Sequence, residues 1–346
     1  MHFFDYTFLS TGSVPMTLVN ATNAISEIKA LDGMRASRNR SLFDSLAQIA
    51  RVQSVKTSNE LEGIVTSDAR IAAIVNQSSA PLDHDEQEIA GYRDALDFVH
   101  QHHADLQINE EAILHLHGLL LGHTGQKSSG YKKTDNVIAD FDSQGRRRVR
   151  FRPSSAKDTP DDMEQLVLAY AIAHDEMQTN RLLLIPCFIL DFLCIHPFSD
   201  GNGRLSRLLS LLMLYKEGYE VGKYVSFEEQ VNKRKAWYYD ALETSSEGWH
   251  ENANNYTPFM ENFVSTLLSC YRELDKRLAL VRDSPGKAQR VERVVLNSLF
   301  PISKAEIKDC LPDVSPSTIE TVLGKMVRDG TAKKIGTYRN ARYIRN

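Results

Sequence analysis

Apolar residues recur at three- and four-residue spacing through most of this chain, and that spacing predicts helices. "MTLVNATNAISEIKALDGM" and "SLFDSLAQIARVQSVKTSNELEGI" carry the pattern over the first eighty residues. The polar, Pro-containing "NQSSAPLDHDEQEI" breaks it, and "EIAGYRDALDFVHQHH" resumes it. "NEEAILHLHGLLLGH" opens on a good cap and an acidic first turn. Helical periods return in "DDMEQLVLAYAIAHDEM", "RLLLIPCFILDFLCI", "RLSRLLSLLMLYKEGY", "VNKRKAWYYDALET" and "YTPFMENFVSTLLSCYRELDKRLALV". Between them, residues 134–152 alternate instead: Val137, Ala139 and Phe141, then Val149 and Phe151 beyond "DSQG", which predicts a β-hairpin. "RDSPGK" at 282–287 reads as a linker. Three short helical patterns and an alternating turn follow it, the order of a winged helix-turn-helix. The expected architecture is mainly α: an N-terminal helical region (1–85), a helical core with a small hairpin (86–283) and a winged helix (284–346).

Composition is that of an ordinary globular chain, 42% hydrophobic and 25% charged over 346 residues. Its net charge of −4 hides a split. From Gly286 onward there are twelve Lys/Arg against six Asp/Glu, leaving 29 against 39 elsewhere, which suggests modules with different partners. The N-terminal "MHFFDYTFLS" has no basic segment or cleavage site of a signal peptide. The most apolar stretch is interrupted by Pro186 and Asp191 and is too short for a bilayer, so it reads as a buried helix. Cys187, Cys194, Cys270 and Cys310 form no CxxC, pointing to free thiols and a cytoplasmic location. His102, His103, His115, His117 and His123 offer no i,i+4 pair with a third ligand and read as surface or core residues.

The chemistry concentrates in "HPFSDGNGRLSR", residues 196–207. The apolar helix ends near Ile195, and an amphipathic one starts near Arg204, so "SDGNG" is a tight loop feeding a helix N-terminus. Such a terminus offers unpaired amides and positive potential to an anion, and glycines allow close approach. Arg204 and Arg207, at i and i+3, project to one side of the helix as guanidinium forks suited to polyphosphate. Asp200 is a single hard oxygen ligand of the kind that holds Mg²⁺ together with phosphate oxygens. His196 has the titration range of a general base. Together these define a nucleotide-dependent transferase site. A chance match at the eight fixed positions is on the order of one in a hundred million.

HxFx(D/E)GNGRxxR is the Fic signature, and the chain resembles that family over most of residues 50–270. The resemblance implies an all-α core with a hairpin flap, here 134–152. It also implies transfer of AMP from ATP to a Ser, Thr or Tyr hydroxyl of a target protein docked on the flap. His196 would take the hydroxyl proton, Asp200 would hold Mg²⁺, and Gly201, Asn202 and Gly203 would form the anion hole. Arg204 and Arg207 would grip the β- and γ-phosphates, and Tyr238 and Tyr239, in "WYYDAL", would border the adenine. "SNELEG" resembles the family's inhibitory motif (S/T)xxxE(G/N), with Ser58, Glu62 and Gly63 in the fixed positions. Glu62 would then salt-bridge Arg207 and block the γ-phosphate site.

The implied activity is that of a self-inhibited adenylyltransferase able to modify itself. Removal of AMP, or another donor, stays open. So does an ATP-sensing DNA-binding regulator, because residues 286–346 place Ser317, Thr318, Glu320 and Thr321 early on the third helix. Lys333, Lys334, Arg339 and Arg342 lie on its wing. Protein docking and homodimerisation are the alternative uses of that module.

Overall fold

The computed structural model describes residues 2–38, 40–125, 130–141, 147–176, 179–282, 286–298, 301–311, 314–337 and 341–346. Four N-terminal helices, α1 (Phe8–Thr11), α2 (Met16–Arg38), α3 (Arg40–Leu61) and α4 (Asp68–Val75), lead into α5 (His84–His102) and α6 (Glu110–Leu121). A hairpin of β1 (Ile138–Phe141) and β2 (Arg147–Phe151) follows. Then come α7 (Thr159–Asp175), α8 (Arg181–Ile195), α9 (Asn202–Lys216), α10 (Phe227–Lys233), α11 (Lys235–Ser246) and α12 (Thr257–Arg282). The C-terminal module comprises α13 (Lys287–Asn297), β3 (Ile302–Ser303), α14 (Lys304–Cys310), α15 (Pro316–Arg328), β4 (Ala332–Ile335) and β5 (Arg342–Arg345).

The helix starts are written in the sequence. Asp83, Asn109 and Asn180 each accept a backbone N–H of the first turn of α5, α6 and α8. Ser303 and Glu306 form a reciprocal capping box on α14. Helix α8 is apolar all round and is buried from Leu182 to Ile195, the condition under which such a helix is stable. Helices α7, α9, α11 and α12 pack around it. Helices α5 and α6 approach so closely that a Cβ on Gly91 would lie 2.0 Å from the Leu120 carbonyl oxygen.

One hydrophobic core runs from Phe4 to Leu278, so the segments expected as 1–85 and 86–283 share it. Tyr6 and α2 account for this, the first by bonding Asp191 on α8 and the second by packing along α12. A separate core, from Val291 to Tyr343, lies inside the segment expected as 284–346. There the strands form an antiparallel sheet in the order β3-β5-β4. Strand β3 is two residues long, too short to leave a period in the sequence.

The hairpin pairs Ile138 with Phe151 and Ala139 with Val149, with an irregularity between Ile138 and Ala139. Its "DSQG" turn and Arg146, the centre of the 282–287 linker, and Arg339 lie outside the described residues. All four cysteines are buried and unpaired in disulfides. Among the described residues no helix is long and apolar enough to cross a membrane.

Candidate active site

Helix α8 closes with the bond from His196 N to Phe192 O, 2.9 Å, and His196 itself turns into the left-handed region at φ 51°, ψ 62°. Pro197 lacks the N–H that a further turn would need. The His196 Nδ1–H donates to Leu193 O at 3.3 Å, since a carbonyl can only accept, and Nε2 is left as the acceptor of the ring. Burial lowers this imidazole from 6.5 to about 4, so it is neutral at neutral pH.

The loop beyond His196 is fastened by its own asparagine. Asn202 Oδ1 accepts from Phe198 N at 3.0 Å and its Nδ2 donates to Phe198 O at 2.7 Å. The Asn202 side chain is therefore buried in the loop and offers only its amide to the cavity. Gly201, at φ 82°, caps α9 in a conformation that side chains disfavour. The amides of Asn202, Gly203 and Arg204 precede the first intrahelical bond, from Leu205 N to Gly201 O at 2.9 Å. Beneath the loop, His117 stacks on Phe198 with ring centroids 3.7 Å apart, and its Nε2–H donates to Asp200 O at 3.1 Å. Burial lowers this imidazole too.

The anion at this helix terminus is Glu62. A Cβ on Gly203 would stand 2.3 Å from Glu62 Oε1, so only glycine admits the carboxylate at this distance. Helix α3 ends just before Glu62, and Gly63, at φ 81°, turns the chain away. Arg207 binds three atoms of that helix end, each at 2.8 Å: Nε donates to Ser58 Oγ, and Nη2 donates to Ser58 O and Glu62 Oε1.

Arg204 lines the same cleft as Arg207 and is also engaged by two acids. The i,i+3 spacing predicts two forks on one ligand, and here Arg204 is 2% exposed, with Nη1 on Glu88 Oε2 of α5 at 2.6 Å. Its Nη2 reaches Asp200 Oδ2 at 3.1 Å. Helix periodicity sets which side of α9 a residue occupies, while the acid on the neighbouring helix sets what it binds.

Glu62, His196, the loop from Ser199 to Gly203, Arg204 and Arg207 line one solvent-open cleft with a cavity volume of about 230 Å³. Tyr238 and Tyr239 form a wall on α11, with rings edge to face at 5.3 Å. The hairpin contributes Ile138, Arg150 and Phe151 to the lining. Two arginines of β2 reach α11. Arg150 Nη2 donates to Tyr239 O at 3.0 Å and Glu243 Oε2 at 3.3 Å, and Arg148 joins Glu243 at 3.2 Å.

The cleft thus combines a neutral imidazole, helix-terminus amides, a guanidinium and an aromatic wall. Asp200 adds a carboxylate that is 64% exposed at the mouth. Among the described residues no group of three or more His, Cys, Asp or Glu could hold a metal. A divalent cation at Asp200 would have to take its other ligands from substrate phosphates and water. Sequence reasoning missed Lys132, Asn136, Glu88, Glu243 and the supporting role of His117. They meet the loop or cleft from distant elements and sit in no motif.

The fold, and the sequence around the loop, match a known class. Residues 107–214 match the model of the Fic/DOC family. A protein adenylyltransferase Fic from Nematostella vectensis is 25% identical over 228 residues, 58% of this chain and 49% of that protein. One from Culex quinquefasciatus is 24% identical over 267 residues, 71% and 50% respectively. The chain spans about half the length of these curated relatives. A Fic family protein from Desulfovibrio desulfuricans G20 superposes with a TM-score of 0.59 at 19% identity, over 96% of this chain and 97% of that one. The chain carries a Fic domain on a Fic fold.

Proposed function

We propose that this protein is a self-inhibited protein adenylyltransferase that transfers AMP from ATP to a hydroxyl side chain. The observation that carries the reading is the Glu62 carboxylate, bound to Arg207 and packed against Gly203 in the same cleft as neutral His196. A carboxylate at a helix N-terminus stands where a phosphate would bind, so ATP must displace Glu62 to lie extended. His196 Nε2 then accepts the target hydroxyl proton while the oxygen bonds to the α-phosphorus. The α–β bridging bond breaks and pyrophosphate departs. The amides at Asn202, Gly203 and Arg204 face the growing negative charge, Arg207 takes the terminal phosphate, and Tyr238 and Tyr239 flank the base. The exposed carboxylate of Asp200 fits Mg²⁺, which when bound would neutralise phosphate charge. A target segment docks along the hairpin by strand addition, and a second copy of the chain is one such target.

The C-terminal module we read as a winged helix. Ser315 caps α15, and Ser317, Glu320, Thr321, Lys333 and Lys334 are exposed. The full chain is expected to bind duplex DNA with an affinity that falls steeply as salt rises; binding indifferent to salt would assign the module to protein docking.

Incubation of Glu62→Gly with Mg²⁺ and ATP labelled at the α-phosphate tests the central reading. Self-labelling by the mass of an AMP group is expected, weak in the wild type and absent from Glu62→Gly/His196→Ala. Equal labelling with and without Glu62 would remove the inhibitory role, and a different added mass would change the donor. Release of AMP from a labelled target by the wild type alone would make removal its main direction.

A further inference from the structure

Six consecutive carbonyls run through the turn that carries His196, and each accepts a hydrogen bond. Leu193 O is taken by the His196 ring at 3.3 Å and Cys194 O by Ser154 N at 3.4 Å. Lys132 takes the next three: its Nζ donates to Ile195 O at 2.9 Å and His196 O at 3.0 Å, and its backbone N donates to Pro197 O at 2.8 Å. Asn136 Nδ2 adds bonds to His196 O at 3.3 Å and Phe198 O at 3.2 Å, the latter shared with Asn202. The third Nζ proton of Lys132 goes to Asn136 Oδ1 at 2.9 Å, which exhausts the ammonium.

A helix end leaves its last carbonyls without partners, and a cation there is also favoured by the helix dipole. Lys132 is only 4% exposed, an expensive place for an ammonium unless its bonds matter locally. Beside it, His196 holds a left-handed backbone that a residue with a Cβ seldom adopts without surrounding constraint. Lys132 is not among the residues lining the cleft.

We infer that Lys132 is a positioning residue. Its ammonium locks the left-handed turn of His196 and so aims the imidazole into the cleft. Asn136 and Ser154, which stand just before β1 and just after β2, join the same carbonyl row, so both roots of the hairpin are tied to the end of α8. The inference rests on the adenylyltransferase reading for its kinetic consequence, and on geometry alone for its spectroscopic one.

The test uses Glu62→Gly as the parent. Lys132→Met is expected to lower the transfer rate at least tenfold while ATP affinity, measured by calorimetry, stays within twofold. Asn136→Ala, a milder change, is expected to lower the rate severalfold with the same unchanged affinity. In protein with ¹³C-labelled histidine, the His196 ring and Cα resonances, assigned by their loss in His196→Ala, should shift in both variants. Unshifted His196 resonances, an unchanged rate, or parallel losses of rate and ATP affinity in Asn136→Ala would overturn the inference. If the parent transfers no AMP, the adenylyltransferase reading fails, whereas the His196 shifts still decide whether Lys132 sets the turn.

Discussion

Glu62 Oε1 lies 2.8 Å from Arg207 Nη2, across 145 residues of sequence, and the same guanidinium holds Ser58 through both its hydroxyl and its carbonyl. The end of α3 is thereby fastened to the first turns of α9, with an acid packed against Gly203 at the start of that helix.

Loosening that fastening should release activity in steps. A charge-assisted hydrogen bond is worth about 1.5–3 kcal/mol, so Glu62→Gly is expected to raise self-labelling roughly ten- to a hundredfold. Ser58→Ala removes one neutral acceptor of the guanidinium and leaves both the Ser58 carbonyl bond and the Glu62 ion pair in place. It should raise labelling only a few-fold. Time courses with labelled ATP compare the two, and a larger effect from Ser58→Ala would mean that Glu62 is not the principal block.

The pH profile of transfer should reflect a buried base. His196 accepts protons only when neutral, and burial holds it near 4 rather than 6.5. For Glu62→Gly, kcat/KM is therefore expected to stay level from neutrality down to about pH 5 and to fall with a limb near 4. A limb near the ordinary histidine value would place the imidazole in water.

Stability should weaken on mild acidification. Burial lowers His2, His100 and His196 each to about 4, so between about pH 4 and 6.5 these sites bind protons unfolded but not folded. Their contribution is present above pH 6.5 and is lost as pH falls towards 4. Asp191 acts the other way, since burial raises it to about 7 and its folded form keeps the proton down to its unfolded value. The excess is about two protons, a slope approaching about 2.7 kcal/mol per pH unit at most. Urea unfolding at pH 7.0 and 5.5 measures it, and equal or greater stability at 5.5 would contradict it.

Gly91→Ala should destabilise the whole body. The added Cβ would meet the Leu120 carbonyl oxygen at 2.0 Å, a backbone atom with no flexible end to yield. Helices α5 and α6 must separate, at a cost of about 1–3 kcal/mol or more. A lowered urea midpoint with unchanged m-value is the expected signature; wild-type stability would show that the two helices sit further apart.

Much of the candidate site was legible because it is contiguous. In residues 196–207 the end of a buried helix, the glycine-bearing loop and the new helix follow from local rules about proline, glycine and amide groups. Those rules pointed to His196, Gly201, Gly203 and Arg207, and all of them line the cleft. The helical body and the hairpin were legible for a similar reason, since periods of 3.6 and 2 are properties of consecutive residues.

What the linear order could not decide was direction. Arg204 and Arg207 read as a matched pair, yet one is held by Glu88 and the other by Ser58 and Glu62, because α5 packs beside the first and the end of α3 beside the second. Lys132 sits 64 residues from His196 in a stretch with no motif, and it matters only because the fold brings the hairpin root against the open carbonyls of α8. Local chain chemistry set which groups each segment could offer. Tertiary packing chose their partners, because the fate of a buried charge or carbonyl depends on which distant donor or acceptor replaces the water it has lost.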